Sequence, residues 1–116
     1  MKTDGKIIKG VGIDMVDISR FKKFKKTSVF LKRVFSKKEL NYCFSFKDAA
    51  SRLAGCFAAK EAAVKAYGGK ATVFDIEVRH DPLGKPELWK KGKKIQDVML
   101  SVTHAEKIAC ALIVLI

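Results

Sequence analysis

The stretch FAAKEAAVKAYG, residues 57–68, decides the fold because it is dense in alanine, lysine and glutamate, which are strong helix formers. Gly68 and Gly69 follow at once and supply the glycine signal that ends a helix. Working outward from this stretch, we predict one long helix from about Ala49 to Tyr67.

The polar residues of this stretch are Lys60, Glu61 and Lys65. Glu61 and Lys65 stand four residues apart and share one helix face, beside small alanines that leave room for a ligand. A carboxylate with two ammonium groups can hold a metal ion and a polyanion. A Glu–Lys pair at this spacing is also common on exposed helices, and the stretch alone favours that ordinary interpretation.

Length and composition predict a single domain over residues 1–116, since 48% of the residues are hydrophobic and can form a core. No apolar run approaches the roughly 18 residues of a membrane helix, and we expect no membrane partner. The N-terminus lacks a secretory pattern. Cys43, Cys56 and Cys110 lack zinc-site spacing, which favours reduced thiols in a cytoplasmic protein.

The formal net charge is +12, and the excess is concentrated between Asp17 and Lys47, where ten basic residues face two acidic ones. Such a surface favours an anionic partner. The candidates are a nucleic acid, an acidic protein and a phosphorylated cofactor; a simply solubilising surface also fits the composition.

Before the long helix, we predict a strand over Ile7–Met15 that ends near Asp14. Its alternate apolar residues are Val11, Ile13 and Met15, and we expect them to face the core. Gly12 and Asp14 would then lie on the other side of the strand. A short helix is predicted over Asp17–Lys26, and a second short helix or a turn over Val29–Val34. The capping-box sequence Ser36-Lys-Lys-Glu39 starts a third.

After the long helix the pattern changes to alternation and turns. We predict strands over Ala71–His80, Glu87–Lys90 and Val98–Thr103, with a turn at Asp81–Gly84. The continuous apolar run Ile108–Ile116 predicts a strand buried on both faces. One strand, a run of helices and then antiparallel strands indicate the α+β class.

Asp14 and Glu61 are hard oxygen ligands of the kind that Mg²⁺ takes from proteins, one or two at a time, beside substrate phosphates. Nearby lysines neutralise phosphate as point charges. The segment Ser101–His104 adds a histidine at a strand end. Each feature alone is weak, since Asp14 can simply lead into a helix and His104 is more often a turn residue.

Four separated motifs occur together, namely Gly10–Asp14, Phe57–Ala66, Gly84–Pro86 and Ser101–His104. In this order and spacing the chain resembles the holo-[acyl-carrier-protein] synthases, the short bacterial 4′-phosphopantetheinyl transferase family, over about residues 7–114. The resemblance implies that family's fold, a homotrimer with sites between subunits, and fatty acid biosynthesis. It also implies Mg²⁺-dependent transfer of 4′-phosphopantetheine from coenzyme A to a serine of apo-acyl carrier protein, releasing adenosine 3′,5′-bisphosphate.

The resemblance also implies roles for individual residues. The metal ligands are Asp14 and Glu61, and the catalytic residues are Asp14, Glu61 and Lys65. Glu61 is in addition a candidate general base. The residues implied to bind coenzyme A are Lys60, Lys65, Gly84, Lys85, Pro86 and His104.

The resemblance places Arg20 among the residues that dock the acidic carrier protein, and Lys23 and Lys26 extend the same basic side. We expect these charges to steer the carrier, so that the rate falls as salt rises. Cys56 stands where the family usually carries arginine. We hypothesise that Arg52, one turn earlier, compensates for that phosphate contact.

Two other functions fit parts of the sequence. A small nucleic-acid-binding domain would explain the net charge and the lysines interleaved with aromatics in Phe21–Lys26. No groove-reading or base-stacking motif accompanies them, so we expect no nucleic-acid partner. A structural oligomer without catalysis would suit an unpaired apolar C-terminal strand.

Overall fold

The computed structural model describes Gly5 and residues 7–116, which form helices and two antiparallel sheets. The α-helices are α1 (Val29–Val34), α2 (Lys37–Cys43) and α3 (Ala49–Ala66). The strands are β1 (Gly10–Asp17), β2 (Ile76–His80), β3 (Pro86–Lys90), β4 (Lys93–Lys94), β5 (Val98–His104) and β6 (Ile108–Leu115). The first sheet has the order β1-β6-β5 and the second β2-β3-β4. This arrangement confirms the predicted α+β class; the single domain over residues 1–116 stays a prediction.

Helix α3 has well-defined ends. Its N-cap is Asp48, whose Oδ1 accepts a hydrogen bond from the Ser51 amide at 3.2 Å. The two hydrogen bonds from Ser51 lower the pKa of the Asp48 carboxyl. At the other end Gly68 and Gly69 have φ values of 61° and 84°, which glycine adopts without strain. The long helix is therefore confirmed, although the sequence interpretation did not identify its cap.

The first sheet packs on α3 through small residues. On the helix, Ala58, Ala59, Ala62 and Ala63 are fully buried, and Ala109 and Ala111 of β6 face them. On β1, a Cβ added at Gly12 would lie 1.8 Å from the carbonyl oxygen of Ala62. Only glycine permits so close a contact between a strand and a helix backbone.

This contact reverses the predicted faces of β1. Val11, Ile13 and Met15 are 56%, 56% and 64% exposed, whereas Gly12 and Val16 are buried. The prediction that the three larger side chains face the core is wrong, because the side chains of β1 would separate the strand from the helix. Asp14 shares the helix-facing side of the sheet with Gly12.

Strand β6 also differs from expectation. Alternate residues such as Ala111 and Ile113 are buried, whereas Ile108 and Leu112 are 37% and 40% exposed. The prediction of burial on both faces is wrong because α3 covers only one side of the sheet. The strand is also central, paired with β1 and β5, so the idea of an unpaired C-terminal strand is wrong as well.

The shorter elements match the predictions from the sequence only in part. The helix predicted over Asp17–Lys26 is only a 3₁₀ turn at Ile18–Phe21. The strand predicted from Ala71 begins at Ile76, because Val73–Asp75 form another 3₁₀ turn. The two-residue strand β4, Lys93–Lys94, was not predicted.

The capping box is confirmed: the Ser36 amide donates to Glu39 Oε1 at 2.8 Å and the Glu39 amide donates to Ser36 Oγ at 3.1 Å.

We expect Gly12→Ala to destabilise the fold by at least about 2 kcal/mol, because the new methyl group would overlap the backbone of α3. Urea unfolding followed by circular dichroism measures this change. Gly55→Ala is the control, since its Cβ would meet only a side-chain methyl of Val102 at 3.1 Å. Equal effects of the two substitutions would contradict the close contact as the cause.

Candidate active site

The close contact between β1 and α3 brings Asp14 and Lys65 together, although they are far apart in sequence. The Lys65 ammonium donates to Asp14 Oδ1 at 3.1 Å and to the Ile13 carbonyl oxygen at 2.9 Å. The Asp14 side chain is 19% exposed and that of Lys65 is 56% exposed. A carboxylate and a cation therefore meet at the edge of the sheet, within reach of a ligand from solvent.

Glu61 lies one helical turn before Lys65 and is half-buried. At this spacing the two side chains lie on one face of α3, the face that Lys65 uses to reach Asp14. The residue predicted as the second metal ligand thus belongs to the same group of polar side chains. We call Asp14, Glu61 and Lys65 the acidic group.

The acidic group suits a metal that needs few protein ligands. Within the described part of the chain, no three or more His, Cys, Asp or Glu side chains are grouped to hold a metal ion. Two carboxylates match Mg²⁺, which takes one or two from the protein and completes its octahedron with water and phosphate oxygens. The donor set therefore fits Mg²⁺ better than a fully protein-bound metal.

Lys60 lies elsewhere. It is 2% exposed, and its ammonium donates to Glu39 Oε1 of α2 at 2.8 Å. The sequence interpretation grouped it with Glu61 and Lys65 as a cluster that could hold a polyanion, whereas in the structure Lys60 points into the core. A phosphate would have to displace Glu39 to reach its ammonium, so Lys60 is left out of the function proposed below.

A second group of predicted residues lines one small pocket of about 150 Å³ between α3, β5 and the β2–β3 hairpin. Gly84, Pro86 and His104 are among its lining residues, together with Arg52 and Cys56 from α3. We call it the hairpin pocket. Lys85 lies beside it at the hairpin turn and lines a neighbouring groove with Pro86.

The hairpin turn is held by Asp81. Its Oδ1 accepts from the amides of Leu83 at 2.9 Å and Lys85 at 2.8 Å, and its carbonyl oxygen accepts from the Gly84 amide at 2.9 Å. Gly84 has a φ of 87°, which disfavours residues with a Cβ. The predicted turn is confirmed, and its bonds fix the Gly84 backbone at the pocket.

The sequence interpretation missed an aromatic cluster around the hairpin pocket. The rings of Tyr42 and His80 stack with centroids 3.6 Å apart, and the Arg52 guanidinium lies 3.9 Å from the centroid of Phe46. Burial, with a smaller effect of Arg52, lowers the pKa of His80. No sequence motif marks these residues, because four different elements and loops contribute them.

Cys56 lies one turn after Arg52 on the same side of α3, and both residues line the hairpin pocket. A hydrogen bond with the Cys43 thiol and burial raise the pKa of the Cys56 thiol well above its usual range. Cys56 thus supplies a neutral group to the pocket wall, and Arg52 supplies the positive charge.

The acidic group and the hairpin pocket lie at opposite edges of the first sheet. Asp14 of β1 and Val102 of β5 both pair with Ala111 of β6, so two strand spacings, about 10 Å, separate them. Helix α3 covers the sheet between these edges, contacting Gly12 on one side and Val102 on the other. The structure therefore does not bring His104 and Asp14 into one continuous cavity of a single chain.

The residues predicted to dock a carrier protein are exposed, with Arg20 inside the 3₁₀ turn that follows β1 and Lys23 just after it. Arg20 places its guanidinium 5.5 Å from the centroid of Phe57, and Lys23 places its ammonium 5.4 Å from that of Phe24. Lys26 is exposed further along the same segment. Among the described residues, no helix has the length and apolar character needed to cross a membrane.

Comparison with known proteins decides the family. Residues 10–113 match the model of the 4′-phosphopantetheinyl transferase superfamily. This chain belongs to that superfamily. The match covers both the acidic group and the hairpin pocket, and it confirms the resemblance found in the sequence.

Named members of the 4′-phosphopantetheinyl transferase superfamily are similar over nearly their whole length. The holo-[acyl-carrier-protein] synthases of Geotalea daltonii and Caldicellulosiruptor saccharolyticus are each 40% identical to this chain, covering 94% and 90% of it and 98% and 94% of the relatives. The crystal structure of the Bacillus anthracis synthase in complex with CoA (3′,5′-ADP) superposes with a TM-score of 0.78 at 35% identity, covering 95% of this chain and 97% of that one. The Helicobacter pylori synthase in complex with coenzyme A gives 0.74 at 33% identity, covering 90% and 98%.

The half-buried His80 predicts a pH dependence of stability. Folding lowers the pKa of this imidazole below 6.5. As the pH falls through 6.5, the imidazole therefore binds a proton in the unfolded chain but stays neutral in the folded chain. Stability should therefore decrease on acidification in this window and recover as the pH rises above it. Thermal unfolding between pH 5 and 8 measures the effect, which His80→Asn should reduce.

The matched control is His104→Asn, which removes the other histidine, exposed at the end of β5. If His104→Asn flattened the pH dependence as much as His80→Asn, burial of His80 would not be its cause.

Proposed function

We propose that the protein is a holo-[acyl-carrier-protein] synthase that transfers 4′-phosphopantetheine from coenzyme A to a serine of apo-acyl carrier protein. The observation that carries this proposal is the pairing of Asp14 with Lys65 beside Glu61, at the edge where β1 meets α3. Two carboxylates with a lysine suit a metal–pyrophosphate group, and related synthases bind coenzyme A.

In the proposed reaction the serine hydroxyl oxygen attacks the β-phosphorus of coenzyme A. The bond from that phosphorus to the bridging oxygen breaks, and adenosine 3′,5′-bisphosphate leaves. Lys65 neutralises charge on the transferred phosphate, and Asp14 and Glu61 hold Mg²⁺. Mg²⁺ supplies charge stabilisation of the pyrophosphate when bound. Glu61 is also the candidate acceptor of the serine proton.

The hairpin pocket is proposed to bind the nucleotide end of coenzyme A. Gly84 and Pro86 give it a fixed backbone wall, with Lys85 beside the turn, and His104 closes it from β5. The Arg52 guanidinium supplies a permanent positive charge on the pocket wall. It would bind the phosphate that the neutral Cys56 thiol cannot bind. Its stacking on Phe46 holds the guanidinium in place.

Two observations support a homotrimer with sites between subunits. The hairpin pocket and the acidic group lie at opposite edges of the first sheet with α3 packed between them, so a site between subunits would join the pocket of one chain to the acidic group of another. The uncovered side of the first sheet also presents a row of exposed apolar residues, namely Val11, Ile13, Met15, Ile108 and Leu112. An apolar surface of this kind indicates a protein interface.

The basic side at Arg20, Lys23 and Lys26 is proposed to dock the acidic carrier protein. Opposite charges would raise the association rate and make it sensitive to salt. The activity would serve fatty acid biosynthesis in the cytoplasm.

The experiment that tests the proposal is incubation with coenzyme A, Mg²⁺ and apo-acyl carrier protein. Mass spectrometry should show that the carrier gains one phosphopantetheine and that chelation of Mg²⁺ stops the reaction. Glu61→Gln should lower the rate by at least about 100-fold, because it removes a metal ligand and the candidate base. Glu77→Gln, the same chemical change at a β2 carboxylate paired with Arg79, should leave the rate unchanged.

No mass gain with any apo carrier would overturn the transferase assignment. Near-normal turnover of Glu61→Gln would remove Glu61 from both roles while leaving the overall reaction intact.

For the assembly, we expect sedimentation to show a trimer that Met15→Lys dissociates, since this side chain lies on the exposed apolar face. The variant should keep its circular dichroism spectrum and lose transfer activity. Phe74→Lys is the control, because Phe74 is 73% exposed outside that face. A fully active monomer would contradict shared sites.

A further inference from the structure

A buried ionic junction joins three elements behind the hairpin pocket. Glu39 of α2 and Lys60 of α3 are 1% and 2% exposed. Glu39 Oε1 accepts from the Lys60 ammonium and from the Ser36 amide, each at 2.8 Å. Glu39 Oε2 accepts from the Val78 amide of β2, also at 2.8 Å. One carboxylate of α2 thus connects this helix to α3 and to β2.

The bond to Val78 connects this junction to the pocket. Strand β2 is the edge of the second sheet, and the Val78 amide bonds to Glu39 rather than to a neighbouring strand. The buried Val78 side chain and His80, two residues further along β2, both line the hairpin pocket. The same strand leads directly into the turn that carries Gly84. Glu39 therefore fixes the strand from which one wall of the pocket is built.

Lys60 connects the junction to the opposite wall. It lies on α3 one turn after Cys56 and two turns after Arg52, both of which line the pocket. A buried ion pair contributes little net stability, because desolvation offsets its attraction. Its directed hydrogen bonds, however, restrict α2, α3 and β2 to one relative position.

We infer that Glu39 and Lys60 are positioning residues of the hairpin pocket, which hold β2 at a fixed distance from α3. The spacing between Arg52 and the hairpin turn depends on this junction, and Lys60 acts through Glu39 without touching the ligand. The inference rests on the proposed function, because the nucleotide end of coenzyme A is the ligand assigned to the pocket.

The test uses Glu39→Gln and adenosine 3′,5′-bisphosphate as the probe, with binding measured by calorimetry. Glutamine keeps one oxygen for Lys60 or Val78, but its amide nitrogen cannot accept the other bond. We expect the dissociation constant to rise about tenfold, the effect of one buried hydrogen bond. In the transfer assay the KM for coenzyme A should rise similarly, and the KM for the carrier should stay unchanged.

Two further proteins separate positioning from stability. The double variant Glu39→Met with Lys60→Met removes both buried charges and should regain most of the thermal stability lost in Lys60→Met. It should still bind the probe weakly, because methionine offers the Val78 amide no oxygen to bond. Glu77→Gln, on the same strand but paired with Arg79 at its surface, should bind like the unaltered protein.

Hydrogen exchange keeps the inference testable if the variants do not fold. In the unaltered protein, the probe should slow exchange of the Val78 amide, which lies behind the pocket wall. Normal probe affinity in folded Glu39→Gln, or unchanged Val78 exchange on binding, would overturn the positioning role. Failure of the unaltered protein to bind the probe would instead overturn the pocket assignment itself, and this inference with it.

Discussion

The close contact between β1 and α3 is the constraint on which the rest of the structure depends. Gly10 and Gly12 lie against the carbonyl oxygens of Ala66 and Ala62, where a Cβ would stand only 2.0 and 1.8 Å away. This contact determines which face of the first sheet is buried. It also places Asp14 beside Lys65, since both lie where the strand and the helix meet.

The sequence predicted the elements more reliably than their faces. Helix α3, the capping box at Ser36 and the Asp81 turn depend on local signals, and all three are confirmed. The buried face of β1 was predicted wrongly, because alternation of large apolar residues usually marks the core side of a strand. Here the glycines determine the buried side, and that depends on the alanines of a helix about fifty residues away.

In the candidate site, too, the sequence predicted the features that depend on local motifs and missed those that depend on tertiary contacts. The motifs of the sequence pointed to Asp14, Glu61 and Lys65, and the structure places Asp14 in contact with Lys65. Local patterns could not reveal that Lys60 pairs with Glu39, since residue spacing along one helix does not show which neighbour accepts a bond. The stack of His80 on Tyr42 was missed for the same reason, because separate elements contribute the two rings.

The alanine and glycine surface between β1 and α3 has a consequence for motion at the acidic group. Alanine and glycine have no side-chain rotamers, so this contact loses no side-chain entropy on burial and has no alternative packing. A displacement of the Asp14 backbone relative to that of Glu61 therefore requires the strand and the helix to move as whole bodies. We infer that the separation of the two Cα atoms varies little on the nanosecond timescale, so that the carboxylates adjust to a ligand only through rotation of their own side chains.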